Sequence, residues 1–246
     1  VLRSVTEQSN YLTPVLVGSA GVCPVCFGAM PASSEQCGNC VDALNRTKGK
    51  GQVADVVTPL TYRLGYTSDN QAAHDLRAYK SPRPSSEAQL RLTCLFWYFC
   101  GRHLTCVKKR LGISGFTHVA FVPSTRRPGS VHPLQSMLSP MIPLPRAELV
   151  LNAGIDPNRR SVHTEWFTAK PVTPVDERPT AVLLIDDTWV SGARAQSAAH
   201  CLKNAGAERV ATLVLARQVN PDYEPAKPLL AELKGASYDP DSCVWH

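Results

Sequence analysis

Asp186 and Asp187 follow a continuous apolar run, Ala181-Val-Leu-Leu-Ile185, and precede Thr188-Trp-Val-Ser-Gly-Ala-Arg194. Such an apolar run suits a central parallel strand covered on both faces. The chain is expected to leave the sheet at the two acids. A small, hydroxyl-bearing loop with Trp189 at its tip would then lead into a helix over residues 194–205. Free backbone N–H groups at the positive end of a helix dipole bind anions, phosphate above all. Carboxylates are poor phosphate ligands, so the acid pair needs a different partner. Acceptor-only oxygens beside a phosphate cradle suit the hydroxyls of the sugar that carries the phosphate, and ribose 5-phosphate meets both demands. Acidic pairs after apolar strands also bind magnesium in receiver domains and P-loop enzymes. Neither G-x-x-x-x-G-K-[ST] nor a strand-borne G-x-G-x-x-G accompanies this pair.

A second constellation lies near the N-terminus, Cys23-Pro-Val-Cys26 and Cys37-Gly-Asn-Cys40. Two C-x-x-C knuckles at this separation place four thiolates for tetrahedral zinc, and Gly38 permits the tight second turn. A redox dithiol or two disulfides are the alternatives, and neither needs the knuckle repeated at this spacing. Four thiolates close the coordination sphere, which makes the expected zinc structural.

Ile185–Arg194 resembles the motif by which type I phosphoribosyltransferases hold 5-phosphoribosyl 1-pyrophosphate. The resemblance implies that Asp186 and Asp187 take the ribose hydroxyls, while Thr188, Val190, Ser191, Gly192 and Ala193 wrap the 5-phosphate. Arg194 stands where that family often has Thr, and Trp189 is bulkier than usual. A zinc ribbon ahead of such a domain is similar to the ComF group, named for a bacterial competence protein required for DNA uptake. Leu76-Arg-Ala-Tyr-Lys80 looks like that group's lead into the pyrophosphate loop, which implies a pyrophosphate-binding role for Lys80. Phe121-Val-Pro-Ser124 with Arg126 and Arg127 looks like the strand and basic turn that follow. The likeness spans about residues 20–217. It breaks after Gly129, where Ser130-Val-His132 replaces the usual residues beside the acceptor. Magnesium bridging ribose hydroxyls and pyrophosphate is the family's device, and oxygen ligands suit it. Arg159 and Arg160 fall where these enzymes carry a mobile flap.

The elements that must position these groups read as an α/β protein, a mainly parallel sheet flanked by helices with a small N-terminal ribbon. Residues 1–50 are expected to hold a poorly ordered lead-in or a short strand and then the ribbon, and residues 51–246 the phosphoribosyltransferase-like domain. Strands are expected over residues 53–64, 117–123, 149–152, 180–185 and 209–217. Helices are expected over residues 68–78, 86–111 and 134–141, with a turn or two of helix at 228–234. Pro82 and Pro84 separate the first two helices. The apolar run Cys94-Leu-Phe-Trp-Tyr-Phe-Cys100 is far too short to span a bilayer and reads as core packing. It also permits a dimer contact.

The chain has 246 residues, a net charge of +6 and 19% charged residues, an ordinary globular composition whose positive balance favours polyanionic partners. Of nine cysteines, four are explained by zinc, and the other five form no paired pattern, which favours a reducing cytoplasm. No signal peptide or membrane span is read from the sequence. His132 and His163 lack a partner motif and read as surface or packing residues, and Trp166-Phe167 as a core anchor. Two function classes follow. The first is a magnesium-dependent phosphoribosyltransferase acting on a base, amine or nucleotide. The second is a non-catalytic protein that keeps the sugar-phosphate pocket and contacts single-stranded DNA or other nucleic acid.

Overall fold

The computed structural model describes residues 11–49, 51–65, 71–124, 129–156 and 158–245. Four parallel strands form the central sheet, β1 (Val56–Leu64), β2 (His118–Phe121), β5 (Ala181–Trp189) and β6 (Arg209–Val219), in the order β1-β6-β5-β2. The expected α/β architecture is therefore present. Leu149–Leu151 (β3) and Phe167–Ala169 (β4) pair antiparallel as a separate ribbon, so the strand expected near residue 150 lies outside the main sheet. Pro59 has no N–H to give a ladder, and β1 tolerates it because it is an edge strand.

The period of two divides the central strands between two cores. Leu183, Ile185, Leu213 and Leu215 face one side with Leu92, Leu95, Phe96 and Phe99. Val182, Leu184 and Val214 face the other with Ala195, Ala198, Leu202 and the four ribbon cysteines. The first side is covered by α2 (Gln71–Ala78), α3 (Ser86–Leu111) and α4 (Pro133–Leu138). The second is covered by α5 (Ala193–Asn204) and the cysteine module, which contributes α1 (Gly38–Arg46). The short helix α6 (Lys227–Leu233) completes the set near the C-terminus.

Helix α3 has the ends its sequence demands. Ser85 Oγ accepts from the Ala88 N–H, Glu87 lies in the first turn, and Lys108–Arg110 lie in the last. Gly112 then closes the helix in the left-handed region at φ 70°. The apolar run inside it is core, with Leu95 and Phe96 each 1% exposed. Of the two readings of the lead-in, loose or a short strand, the described part from Tyr11 onward is packed and makes one β-bridge. Tyr11 is buried in the α3-side core, and Thr13 bridges Tyr62. Residues 68–70 of the expected helix 68–78 lie outside the described residues. No helix among the described residues is long and apolar enough to cross a membrane.

Candidate active site

Strand β5 does not end at the acids. Asp186 pairs with Val214, Thr188 with Ala216 and Trp189 with Arg217, because the long β6 continues to supply ladder partners. On the other edge β2 stops at Phe121, opposite Ile185. The acids thus lie in a step of the sheet, paired with β6 on one side and beyond the end of β2 on the other, at the carboxyl ends where open α/β sheets bind ligands. The turn itself is only residues 190–192. Trp189, expected at its tip, is instead the buried last residue of the strand. Its indole lies under Gly192, which adopts φ 81° and whose added Cβ would sit 2.2 Å from the ring. Glycine is required there on both counts. Helix α5 then starts at Ala193, one residue earlier than expected.

The pleat sends the two carboxylates to opposite sides of the strand. Asp187 is buried on the α3 side, where Tyr79 donates its hydroxyl (2.6 Å) and Lys80 its ammonium (2.5 Å) to Oδ2. His132 Nε2 lies 4.0 Å from the same oxygen. The His132 ring caps α4, its Nδ1 accepting from the Leu134 N–H at 3.2 Å. The neutral ring therefore carries its proton on Nε2, facing Asp187. Burial pushes the Asp187 carboxyl up, but Lys80 and His132 together with the Lys80 and Tyr79 hydrogen bonds hold it below the usual carboxylate range. Burial also lowers the imidazole of His132 and raises the Tyr79 phenol.

Asp186 faces the α5 side. Its Oδ1 accepts the Asp187 N–H at 2.9 Å. Burial, and then the negative charge of Asp187, raise its carboxyl above the usual range. Asp186 lines a cleft of about 180 Å³ with Thr188, Val190, Ser191, Gly192, Ala193 and Arg194. Arg159 and Arg160 close the same cleft, so residues far apart in sequence meet at one turn. The Thr188 Oγ1 is buried without a hydrogen-bond partner, and the N-cap of α5, Gly192, offers no side-chain cap, although Ser191 Oγ accepts the Ala193 N–H at 3.3 Å. An oxyanion seated in the turn would satisfy both. Arg126 and Arg127 lie outside the described residues. Lys80 is not in this cleft. It stands across the strand, engaged with Asp187.

The cysteines form a tight cluster. Cys23 and Cys40 sulfurs are 3.9 Å apart, Cys26 and Cys37 sulfurs 3.6 Å, and all four lie within 4.8 Å of one another. Tetrahedral zinc with ~2.3 Å bonds separates its sulfurs by about 3.8 Å, so the donor set fits structural zinc and the separations are far too long for disulfides. The Cys37 N–H points at the Cys23 sulfur at 3.5 Å, a hydrogen bond that favours a thiolate there.

Three residues at these centres were not expected from sequence. Tyr79 sits beside Lys80, and only the fold shows that it reaches Asp187. His132 had a local signal, since a polar residue directly before Pro133 marks a helix start. Arg217, in the last core strand, is buried. Its Nε donates to the Cys26 carbonyl at 3.1 Å and its NH1 to the Trp189 and Val190 carbonyls at 3.1 and 2.9 Å. A lone charge inside an apolar strand was the available signal. Comparison with family models, with curated proteins and with solved structures returns no match to this chain.

Proposed function

We propose that this chain binds 5-phosphoribosyl 1-pyrophosphate with magnesium and transfers the phosphoribosyl group to a base, amine or nucleotide acceptor. One observation carries the reading: a helix start with glycine at its N-cap, a buried Thr188 hydroxyl without a partner, three arginines and Asp186 share a single cleft. The turn at 190–192 and the α5 N-terminus take the 5-phosphate. Asp186 accepts from a ribose hydroxyl. Asp187 is the second acid of the pair, and Lys80 is the cation that moves from it to the pyrophosphate.

Breaking the anomeric carbon–pyrophosphate bond puts positive charge on the ribose and negative charge on the leaving group. The residues therefore need to fix the sugar phosphate and neutralise pyrophosphate rather than supply a nucleophile. Magnesium, when bound, adds charge neutralisation at the hydroxyls and pyrophosphate. The acceptor enters a second cleft of about 320 Å³ at the β2 edge, bordered by Ser124, His132, Gln135 and Arg146. The test is a screen of nucleobases and amines with labelled donor, reading donor binding and pyrophosphate release. Release that disappears in Asp187→Asn supports transfer. A donor that does not bind contradicts the reading, and salt-sensitive binding of single-stranded DNA that survives Asp187→Asn points to the binding module instead.

A further inference from the structure

Arg217 is an unusual buried cation. It is 5% exposed, and among the described residues no carboxylate lies within ion-pairing distance of it. Its partners are carbonyls and a sulfur. Besides the contacts to Cys26, Trp189 and Val190, NH1 donates to the Gln218 carbonyl at 2.5 Å and NH2 lies 3.7 Å from the Cys26 sulfur. A buried guanidinium without a counter-charge is costly. Four thiolates on one divalent ion would carry a net charge of about −2, which supplies the missing counter-charge at Cys26. The sequence is adapted to the contact. A Cβ at Gly28 would stand 1.8 Å from the guanidinium, so the second residue after the Cys26 knuckle must be glycine for Arg217 to reach it.

The other end of the same guanidinium holds the carbonyls of Trp189 and Val190, the two residues that lead into the phosphate turn. A further cleft is lined by Cys37 and Asn39 of the cysteine module together with Val190 and Ser191 of the turn, Arg160 and Arg217. We infer that Arg217 is a positioning residue that couples the four-cysteine centre to the phosphate turn, so that metal loading sets the turn's affinity for a sugar phosphate. The inference rests on the phosphoribosyl reading for the identity of the ligand. With the centre loaded, the guanidinium is compensated and both carbonyls are held. With the centre empty, the Cys26 carbonyl and sulfur that seat the guanidinium are no longer fixed, and its hold on residues 189 and 190 loosens.

Coupling of this kind is reciprocal, which gives a test that does not depend on turnover. Zinc-loaded full-length protein is titrated with ribose 5-phosphate by calorimetry. Zinc affinity is then measured by chelator competition, with and without saturating ribose 5-phosphate. The wild type is expected to hold zinc about tenfold more tightly with the sugar phosphate present, within the ~5–150-fold span of known couplings. Arg217→Met, and the milder Arg217→Lys, are expected to bring that ratio close to one, with helical circular dichroism reporting whether each variant is folded. An unchanged wild-type ratio of one overturns the coupling even when ribose 5-phosphate binds. A tenfold ratio retained in a folded Arg217→Lys protein assigns the coupling to other residues and overturns the role of Arg217. If zinc-loaded wild type takes up no ribose 5-phosphate, the functional reading itself fails, a result distinct from both.

Discussion

Two acids are buried at the sheet's α3 side, Asp75 and Asp187, and they are treated differently. Asp75 is fully buried and saturated. Tyr11 donates at 3.2 Å, Gln71 at 2.8 Å, and Arg91 makes a forked pair at 2.6 and 2.9 Å. Its donors come from α2, α3 and the N-terminal segment, so the acid pins three pieces of chain together. Among the described residues no arginine pairs with Asp187. It is held by a tyrosine and by Lys80, whose side chain is 37% exposed, and its neighbour Asp186 accepts from the backbone N–H of Asp187. A carboxylate whose acceptor capacity is filled from rigid elements is a staple. A pair held by a tyrosine and one partly exposed lysine, beside the unpartnered Thr188 hydroxyl near the end of β5, is poised for a ligand.

The largest effect expected from this contrast is at Arg91. Arg91→Ala strips the forked partner from a fully buried carboxylate, and urea melts are expected to show a loss of about 3–5 kcal/mol. The same variant, once folded, is expected to bind sugar phosphate as the wild type does. Next comes Gly192→Ala, which forces a side chain into a left-handed backbone position and against Trp189. It is expected to cost about 1–3 kcal/mol in the same melts, and unlike Arg91→Ala it is expected to weaken ribose 5-phosphate binding as well. Asp187→Asn is expected to do the reverse of Arg91→Ala, changing stability by under about 1 kcal/mol while lowering ligand affinity roughly tenfold, ~1.4 kcal/mol. A melt in which Asp187→Asn is as damaging as Arg91→Ala would erase the distinction.

The smallest effect is in pH dependence, and its sign differs between the acids. Burial pushes Asp75 up, but the Arg91 and Gln71 hydrogen bonds outweigh it and hold the carboxyl below its usual value. Its contribution is therefore complete above the unfolded carboxylate range and disappears as pH falls through the lowered value. Asp186 is raised by burial and by Asp187, so the folded state keeps its proton. That contribution is complete below the unfolded range and declines as pH rises through the raised value. Ligand binding that uses ionised Asp186 strengthens over the same rise. Asp187→Asn removes one cause of the upward shift, so the binding profile is expected to move to lower pH.

The helix at 86–111 was legible because cap, charge and closing glycine are all local to it, at Ser85, Glu87 and Gly112. The paired cysteines were legible because metal geometry fixes their spacing. The end of β5 was not. How far that strand runs depends on the length of β6 on one side and β2 on the other, and neither is written in residues 181–189. Nor did β4 announce itself, since Phe-Thr-Ala is too short to show a period. At the candidate site, the turn residues and the arginines at 159–160 were visible as a motif and a basic pair. The engagement of Asp187 by Tyr79 and Lys80 joins residues more than a hundred positions apart, and the Arg217 contacts join the ribbon to the last strand. Those are products of packing, and a buried arginine or a histidine before a proline only hinted at them.

The central claim is that the turn after β5 and the adjacent Asp186 together hold a phosphorylated pentose. Calorimetry of ribose 5-phosphate against zinc-loaded protein, with magnesium, in the wild type and in Asp186→Asn, tests it most directly. One site per chain is expected, with affinity weakened about tenfold in the variant, ~1.4 kcal/mol. Equal affinities in the two proteins, or no heat in either, would contradict it.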